Sequence, residues 1–358
     1  MANPDLQWHD AQAIGVEGKG WSDTGRYYDR LPARAEGVVT EAVWNLSHCA
    51  AGLCVHFETN ADEIWARWTL RDPIVTGCPK HTMLHHSGLD LYGQLNGRWR
   101  WVKVAEPPLG TDQRTVTARF GDAGLLPGKR RYCCYLPITN PVEKLEIGVP
   151  ANAAFKGLAP RTQTQKPIAY YGTSIVHGYH TSRPGMIHSS QLSRRLDKPM
   201  LNLGFSGNAK MEAPLAELFA ELDPCLWLID PVPNMNSVYD DAAGRHVAGQ
   251  IEERAERFLR ILHKAHPHTP IVMIEDREHN HAAFFPRFKA MHEANRVAWR
   301  KVFDDLKADR WSNLHYIDCD VLRGLGEDGD GTTDGSHPTD LGAWRYTQAL
   351  EPVVRALL

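Results

Sequence analysis

The chain has no stretch approaching the ~20 consecutive apolar residues that a membrane span needs, and Met1 to Asp10 carry neither the basic flank nor the apolar centre of a secretion signal. A clipped signal would leave the same beginning. The expected compartment therefore stays open between the cytoplasm and a processed secreted or periplasmic form, with no membrane partner. Charge of one sign is also missing: 40 basic residues stand against 43 acidic ones, for a formal net charge of -3. That balance supplies no basic footprint, which excludes nucleic acid as the expected partner. Cysteine is sparse at seven, an odd number, and Cys49, Cys54, Cys78, Cys133, Cys134, Cys225 and Cys319 include no C-x-x-C spacing. Neither a complete disulfide framework nor a zinc ribbon follows, so the thiols are expected to be reduced and structural, and no metal or cofactor is expected. Internal repeats and low-complexity tracts are absent, and so is any G-x-S-x-G elbow, which argues against an α/β-hydrolase fold. Nothing in the sequence sets an oligomeric state.

What is present divides in two. From about Val38 to Val149 the apolar residues recur with period two: Leu53, Val55 and Phe57 alternate with Cys54 and His56, and Ile64, Ala66, Trp68 and Leu70 with Trp65, Arg67 and Thr69. Asn96-Gly97 between two such runs predicts a hairpin turn with positive φ at both positions. These half-buried strands predict an antiparallel β-sandwich over residues 1–160, closed by a polar linker at Arg161 to Lys166. Beyond it, apolar strand candidates at Ile168–Tyr171, Leu226–Ile229, Ile271–Ile274 and Leu314–Ile317 alternate with helical stripes, one through Val247, Ile251, Ala255, Phe258, Leu259 and Leu262, another through Met291, Ala294, Ala298 and Val302. A last helix, capped by Thr339, is expected to give Leu341, Trp344 and Leu350 to a core. Residues 161–358 thus read as a parallel sheet with helices on both faces.

In such sheets ligands sit beyond the carboxyl ends of the strands, which directs attention to four loops. Gly172-Thr173-Ser174 turns sharply out of the first strand. Asn202-Leu203-Gly204-Phe205-Ser206-Gly207 is expected to be a loop whose Gly207 N–H faces the same point. Pro231-Val232-Pro233-Asn234 ends in an amide, and Asp334-Gly335-Ser336-His337 precedes the last helix. A serine hydroxyl becomes a nucleophile when a base such as His337 takes its proton, and Asp334 would hold that imidazole in the useful tautomer. The N–H groups of Ser174 and Gly207 and the Asn234 amide would receive the negative oxygen formed on attack of an ester.

In this order, Gly172-Thr173-Ser174, Gly207, Asn234 and Asp334-x-x-His337 resemble the Ser, Gly, Asn and His blocks of the SGNH/GDSL hydrolases, over roughly residues 165 to 358. Gly88-Leu89-Asp90-Leu91-Tyr92 and Ser182-Arg183-Pro184-Gly185-Met186 resemble a two-domain subfamily with an N-terminal GxDLY-type domain. The resemblance implies a three-layer α/β/α flavodoxin-like hydrolase domain behind the sandwich. It also implies an esterase acting on a small-molecule or carbohydrate ester, most plausibly an acetyl ester. An acyltransferase using the same acyl-enzyme and a non-catalytic carbohydrate-binding protein are the alternatives. Two blocks depart from the family pattern: Thr173 and Ile175 flank the serine, and Met235 follows Asn234 where aspartate is usual, which makes Asn236 the fallback.

Other groups read as ordinary structure. The pairs His85-His86 and His279/His281 lack metal spacing. Gly324 to Gly329 does not open a helix, and Asp328, Asp330 and Asp334 lack the bidentate glutamate of a calcium loop. Glu275 and Asp276 are expected to anchor a loop. Trp65, Trp99 and Trp101 are either strand packing or sugar platforms. Asp90, Tyr92 and Arg183 are either substrate contacts or closure of the domain interface.

Overall fold

The computed structural model describes residues 5–75, 77–108, 112–235, 249–322 and 329–358, and the backbone alone of 238–240 and 246–248. Asn236 and the stretch 324–328 lie outside the described residues. In the first half, a sheet ordered Leu6–Asp10, Val142–Pro150, Trp65–Leu70, Thr115–Arg119 packs on another ordered Phe155–Leu158, Cys54–Thr59, Arg130–Tyr135, Leu89–Leu95, Arg98–Ala105. Val55, Phe57, Trp68, Leu91 and Ile147 fill the space between them. Every pairing is antiparallel, and Asn96 and Gly97 turn their hairpin at φ 52° and 73°. Alternation holds in Trp65–Leu70, where every second residue is buried. It fails in Cys54–Thr59, where nearly every residue is buried, because the second half of the chain covers the outer face of that sheet.

The second half is built on five parallel strands: β1 (Ile168–Gly172), β2 (Met200–Gly204), β3 (Leu226–Asp230), β4 (Ile271–Ile274) and β5 (Leu314–Ile317), in the order β2-β1-β3-β4-β5. That is the flavodoxin-like order, whose switch point lies between β1 and β3. Helices α1 (Ser174–His177), α2 (His188–Leu196), α3 (Ala213–Phe219), α4 (Gly249–Ala265), α5 (Pro286–Ala308) and α6 (Asp340–Ala356) cover it. One face buries Trp227, Met273, Phe258 and Trp299 under α3, α4 and α5; the other buries Tyr170, Leu228, Leu192 and Tyr346 under α2 and α6. No helix among the described residues is long and apolar enough to cross a membrane.

Three local expectations are corrected. Met200–Gly204 is an edge strand, in register with Ile168–Gly172, where a loop is expected; five residues interrupted by Asn202 carry too little pattern to announce one. In α6, Thr339 caps the helix and Leu350 is buried as expected, but Leu341 and Trp344 are 42% and 43% exposed, and Ala343, Tyr346 and Val354 join Leu350 in the core. In α5, Ala298 and Val302 are buried as expected, but Met291 and Ala294 are only half-buried, and His292, Asn295 and Trp299 join the buried face, with His292 and Asn295 bonded to Asp276.

The halves are tied together. Trp21, Leu31, Val39 and Val43 pack into the core of the second half. Arg30, 1% exposed, donates to the carbonyls of Leu46 and Cys49 and, across the seam, to those of Asn202 and Gly204.

Candidate active site

The turn after β1 is made possible by two glycines. A Cβ on Gly172 would lie 2.5 Å from Val176 Cγ2, and one on Gly204 would lie 2.1 Å from the His177 backbone nitrogen. Their absence of side chains lets the one-turn helix α1 settle against the ends of β1 and β2. Thr173 caps α1 by accepting from Ile175 N at 3.2 Å, and Asn202 Nδ2 donates to Val176 O at 2.6 Å, so Ser174 is fixed at the first helical position.

Opposite it, the segment before α6 carries His337 and Asp334. His337 Nε2 lies 2.8 Å from Ser174 Oγ, and His337 Nδ1 lies 2.9 Å and 3.1 Å from the Asp334 oxygens. With Nδ1–H donating to Asp334, Nε2 is left as the acceptor for the serine hydroxyl. Burial alone would raise the Asp334 carboxyl; the His337 backbone N–H, the Lys80 ammonium at 2.7 Å and the His337 ring outweigh it and hold the group well below the carboxylate range. Burial lowers His337, only partly offset by Asp334, and Arg277 and Lys80 lower it further. The imidazole is therefore neutral at pH 7, the form a general base requires. Gly335, at φ 83°, gives the segment its turn, and the His281 ring sits where its Cβ would be. Arg277 donates to Ser336 O from the loop after β4.

Gly207 stands beyond the end of β2 at φ 70°, and among the described residues none but its chain neighbours comes within 4 Å of where a Cβ would be. Asn234 follows β3, and its Oδ1 accepts from Ala209 N at 3.2 Å. That bond fixes the carboxamide by its oxygen, and Nδ2 is the group that carries donor hydrogens.

Sequence reasoning missed a neighbouring wall of imidazoles. His180, held in the left-handed region at φ 71°, accepts or donates at 2.6 Å to Thr333 Oγ1 and packs 4.4 Å from the His337 ring. His81, from the loop that supplies Lys80, packs 5.3 Å from His180. Burial, then the neighbouring imidazoles, push His81 and His180 down to about 4, so both are neutral at pH 7. A clue existed for His180, six residues past the nucleophile candidate in the same loop; Lys80 and His81, far off in the chain, gave none. Two sets beside Ser174 have ligand atoms within 4.8 Å of one another, Cys78/His81/His180 and His180/Asp334/His337. A metal on the second would compete with the hydrogen bonds linking Asp334, His337 and Ser174.

Asp90, Tyr92 and Arg183 meet one another. Asp90, fully buried, accepts from Arg183 Nη1 at 2.6 Å, Gly185 N at 2.8 Å and Trp101 Nε1 at 2.9 Å, and Arg183 also donates to Tyr92 Oη at 2.7 Å. Gly185 is pressed on the Tyr92 ring. These contacts join the first half to the loop after Ser174. Trp99 packs on His56, Trp65 under Arg119, and Trp101 is 46% exposed. Glu275 accepts from Tyr316 and from Cys319 N; His85 sits against Thr181 O.

Comparison with known proteins gives a consistent answer. Residues 165–355 match the GDSL-like lipase/acylhydrolase family, and residues 6–155 match the GxDLY N-terminus of SGNH-hydrolase-type esterases. A Bacteroides ovatus protein described as a GDSL-like lipase superposes with TM-score 0.87 at 29% identity, over 99% of this chain and 98% of that one. The salicylyl-acyltransferase SsfX3 of a tetracycline biosynthetic pathway gives 0.71 at 18% identity, over 99% and 96%. A family two carbohydrate esterase from Cellvibrio japonicus gives 0.58 at 12%, over 99% and 98%. No protein of curated function matches the chain. With more than half its length matched by the family model, the chain belongs to the GDSL-like lipase/acylhydrolase family, in the form that carries a GxDLY N-terminal domain.

Proposed function

We propose that the chain is a serine esterase that removes a short acyl group, most plausibly acetyl, from an oxygen on a carbohydrate. One observation carries the reading: the unbroken line from Ser174 Oγ through His337 to Asp334, at 2.8 Å and 2.9 Å. His337 takes the serine proton as Oγ attacks the ester carbonyl, and the imidazolium is stabilised by Asp334. The oxyanion is received by the Ser174 and Gly207 N–H groups and Asn234 Nδ2. Collapse expels the alcohol with the proton from His337, and water then repeats the sequence on the acyl-serine. The Asp90–Arg183–Tyr92 contacts are taken as closing the domain interface and so as fixing the loop after the nucleophile, not as holding substrate.

The sugar clause is supported by relatives of the same fold: one family two carbohydrate esterase is known in complex with cellohexaose, and another neighbour is an acetyl xylan esterase. A second reading, transfer of the acyl group to an acceptor alcohol, is favoured by the likeness to a salicylyl-acyltransferase. Acetate release from a panel of acetylated glycans, with Ser174→Ala as the blank, tests both. Release in water supports the esterase. Acetate appearing only as a new ester on an added acceptor supports the transferase, and no release from any glycan contradicts the carbohydrate assignment.

A further inference from the structure

On the outer face of the sandwich, away from Ser174, three short strands bring four side chains together. Glu17 lies opposite Cys54, and His56 opposite Cys133. All four are buried, and one ligand atom from each of Cys54, His56 and Cys133 lies within 4.8 Å of the others. His56 Nε2 faces Cys54 Sγ at 3.5 Å and Glu17 Oε1 at 3.4 Å. Around a tetrahedral Zn²⁺, with bonds of about 2.3 Å to sulfur and about 2.0 to 2.2 Å to nitrogen and oxygen, the sulfur-to-nitrogen edge is about 3.5 Å and the nitrogen-to-oxygen edge about 3.4 Å. Cys54, His56 and Cys133 thus stand where three ligands of such an ion would, and Glu17, which meets the set through His56, is the neighbouring carboxylate.

We propose that Cys54, His56 and Cys133 bind a Zn²⁺ ion, with the neighbouring Glu17 carboxylate turning in as its fourth ligand, and that the ion pins the sandwich to the second half of the chain. The surroundings suit it. Arg161 grips the Glu17 carboxylate through its backbone N–H at 2.8 Å and its guanidinium, the kind of outer contact that orients a ligating carboxylate. Two thiolates and one carboxylate balance a dication and the arginine, so the buried cluster is neutral. Beside it lies a small cavity lined by Glu17, Cys54 and Tyr135 on one side and Ser189, Ser190 and Ser193 of α2 on the other. Tyr135 Oη donates to Ser190 O, and Arg161 to Ser193 Oγ, across the same seam. Four protein ligands leave no open position, which makes the role structural. Because the ligands come from three strands far apart in sequence, no C-x-x-C spacing announces them.

The test uses the full chain. Elemental analysis of protein purified from zinc-supplemented cells should find about one zinc per chain, the stoichiometry of a single closed site. Protein reconstituted with Co²⁺ alone should show thiolate-to-cobalt charge-transfer absorption, retained in Cys78→Ser and lost in Cys54→Ser and Cys133→Ser. The wild-type spectrum decides the matter even if the latter two variants fail to fold. The proposal is overturned by wild-type protein that carries no zinc and shows no such absorption, by a signal that follows Cys78 instead, or by a Cys54–Cys133 disulfide in the native protein. None of these outcomes depends on the Ser174 chemistry.

Discussion

At the residue level, the acid-base properties of the site come from groups outside the family motif. Lys80 reaches Asp334 from the other half of the chain and, with burial and Arg277, keeps His337 below its ordinary value of 6.5. The sign follows directly: a base with a lowered pKa stays neutral further into acid, so kcat/KM of the wild-type enzyme should hold as pH falls past 6.5 and decline only below it. Lys80→Met removes one lowering charge, so the acid limb of the profile should move to higher pH; an unmoved limb would show that Lys80 does not act on His337. For the oxyanion, Asn234→Ala should lower kcat by about 10²- to 10³-fold with little change in KM. If steady-state kinetics show the loss in KM instead, Asn234 binds substrate and does not serve the oxyanion. Ser174, Gly207 and Asn234 were legible as candidates because each lies just beyond a strand within a recognisable block, and Asp334 and His337 because their block precedes the last helix. Lys80, His81 and Arg277 were not, because only folding brings them to the site, and His180 was signalled only by its place six residues past Ser174.

Secondary elements show why the nucleophile turn is glycine-rich. Gly204 is the tighter of the two contacts, since its added Cβ would meet backbone and not a movable side chain. Gly204→Ala should therefore destabilise the fold by about 1 to 3 kcal/mol, as overpacking does, and displace α1 enough to reduce activity. Urea unfolding checks the first part, and an unchanged midpoint would mean that α1 gives way freely. Strands β1, β3, β4 and β5 were legible as apolar runs because both their faces are covered by helices. β2 was not, since Asn202 at its centre is needed to hold Val176 O and Ser189 Oγ. The exposed positions of Leu341 and Trp344 show the other limit: periodicity finds an apolar stripe, but α6 buries only the part that meets the sheet.

Over the whole molecule, the change of period near residue 160 separates two architectures, yet the halves are not independent. Buried Arg30 donates to carbonyls on both sides of the seam, a set of charge-assisted bonds. Arg30→Met should lower stability by about 3 kcal/mol or more, given about 1.5 to 3 kcal/mol for each hydrogen bond to a charged group. Chemical denaturation would show this as a lower midpoint, and an unaltered one would mean that the seam contributes little. Alternation in the sandwich strands told which side chains share a face. It did not tell that Cys54, His56, Cys133 and Tyr135 are covered by α2, because a polar face looks the same whether water or another domain lies against it.

The account stands or falls on Ser174 as the attacking atom, which turnover of an aryl acetate by the wild-type and Ser174→Ala proteins measures directly, with circular dichroism to show that both are folded. The account predicts a loss of about 10⁴-fold or more in kcat for the folded variant; a folded Ser174→Ala protein as active as the wild type would contradict it.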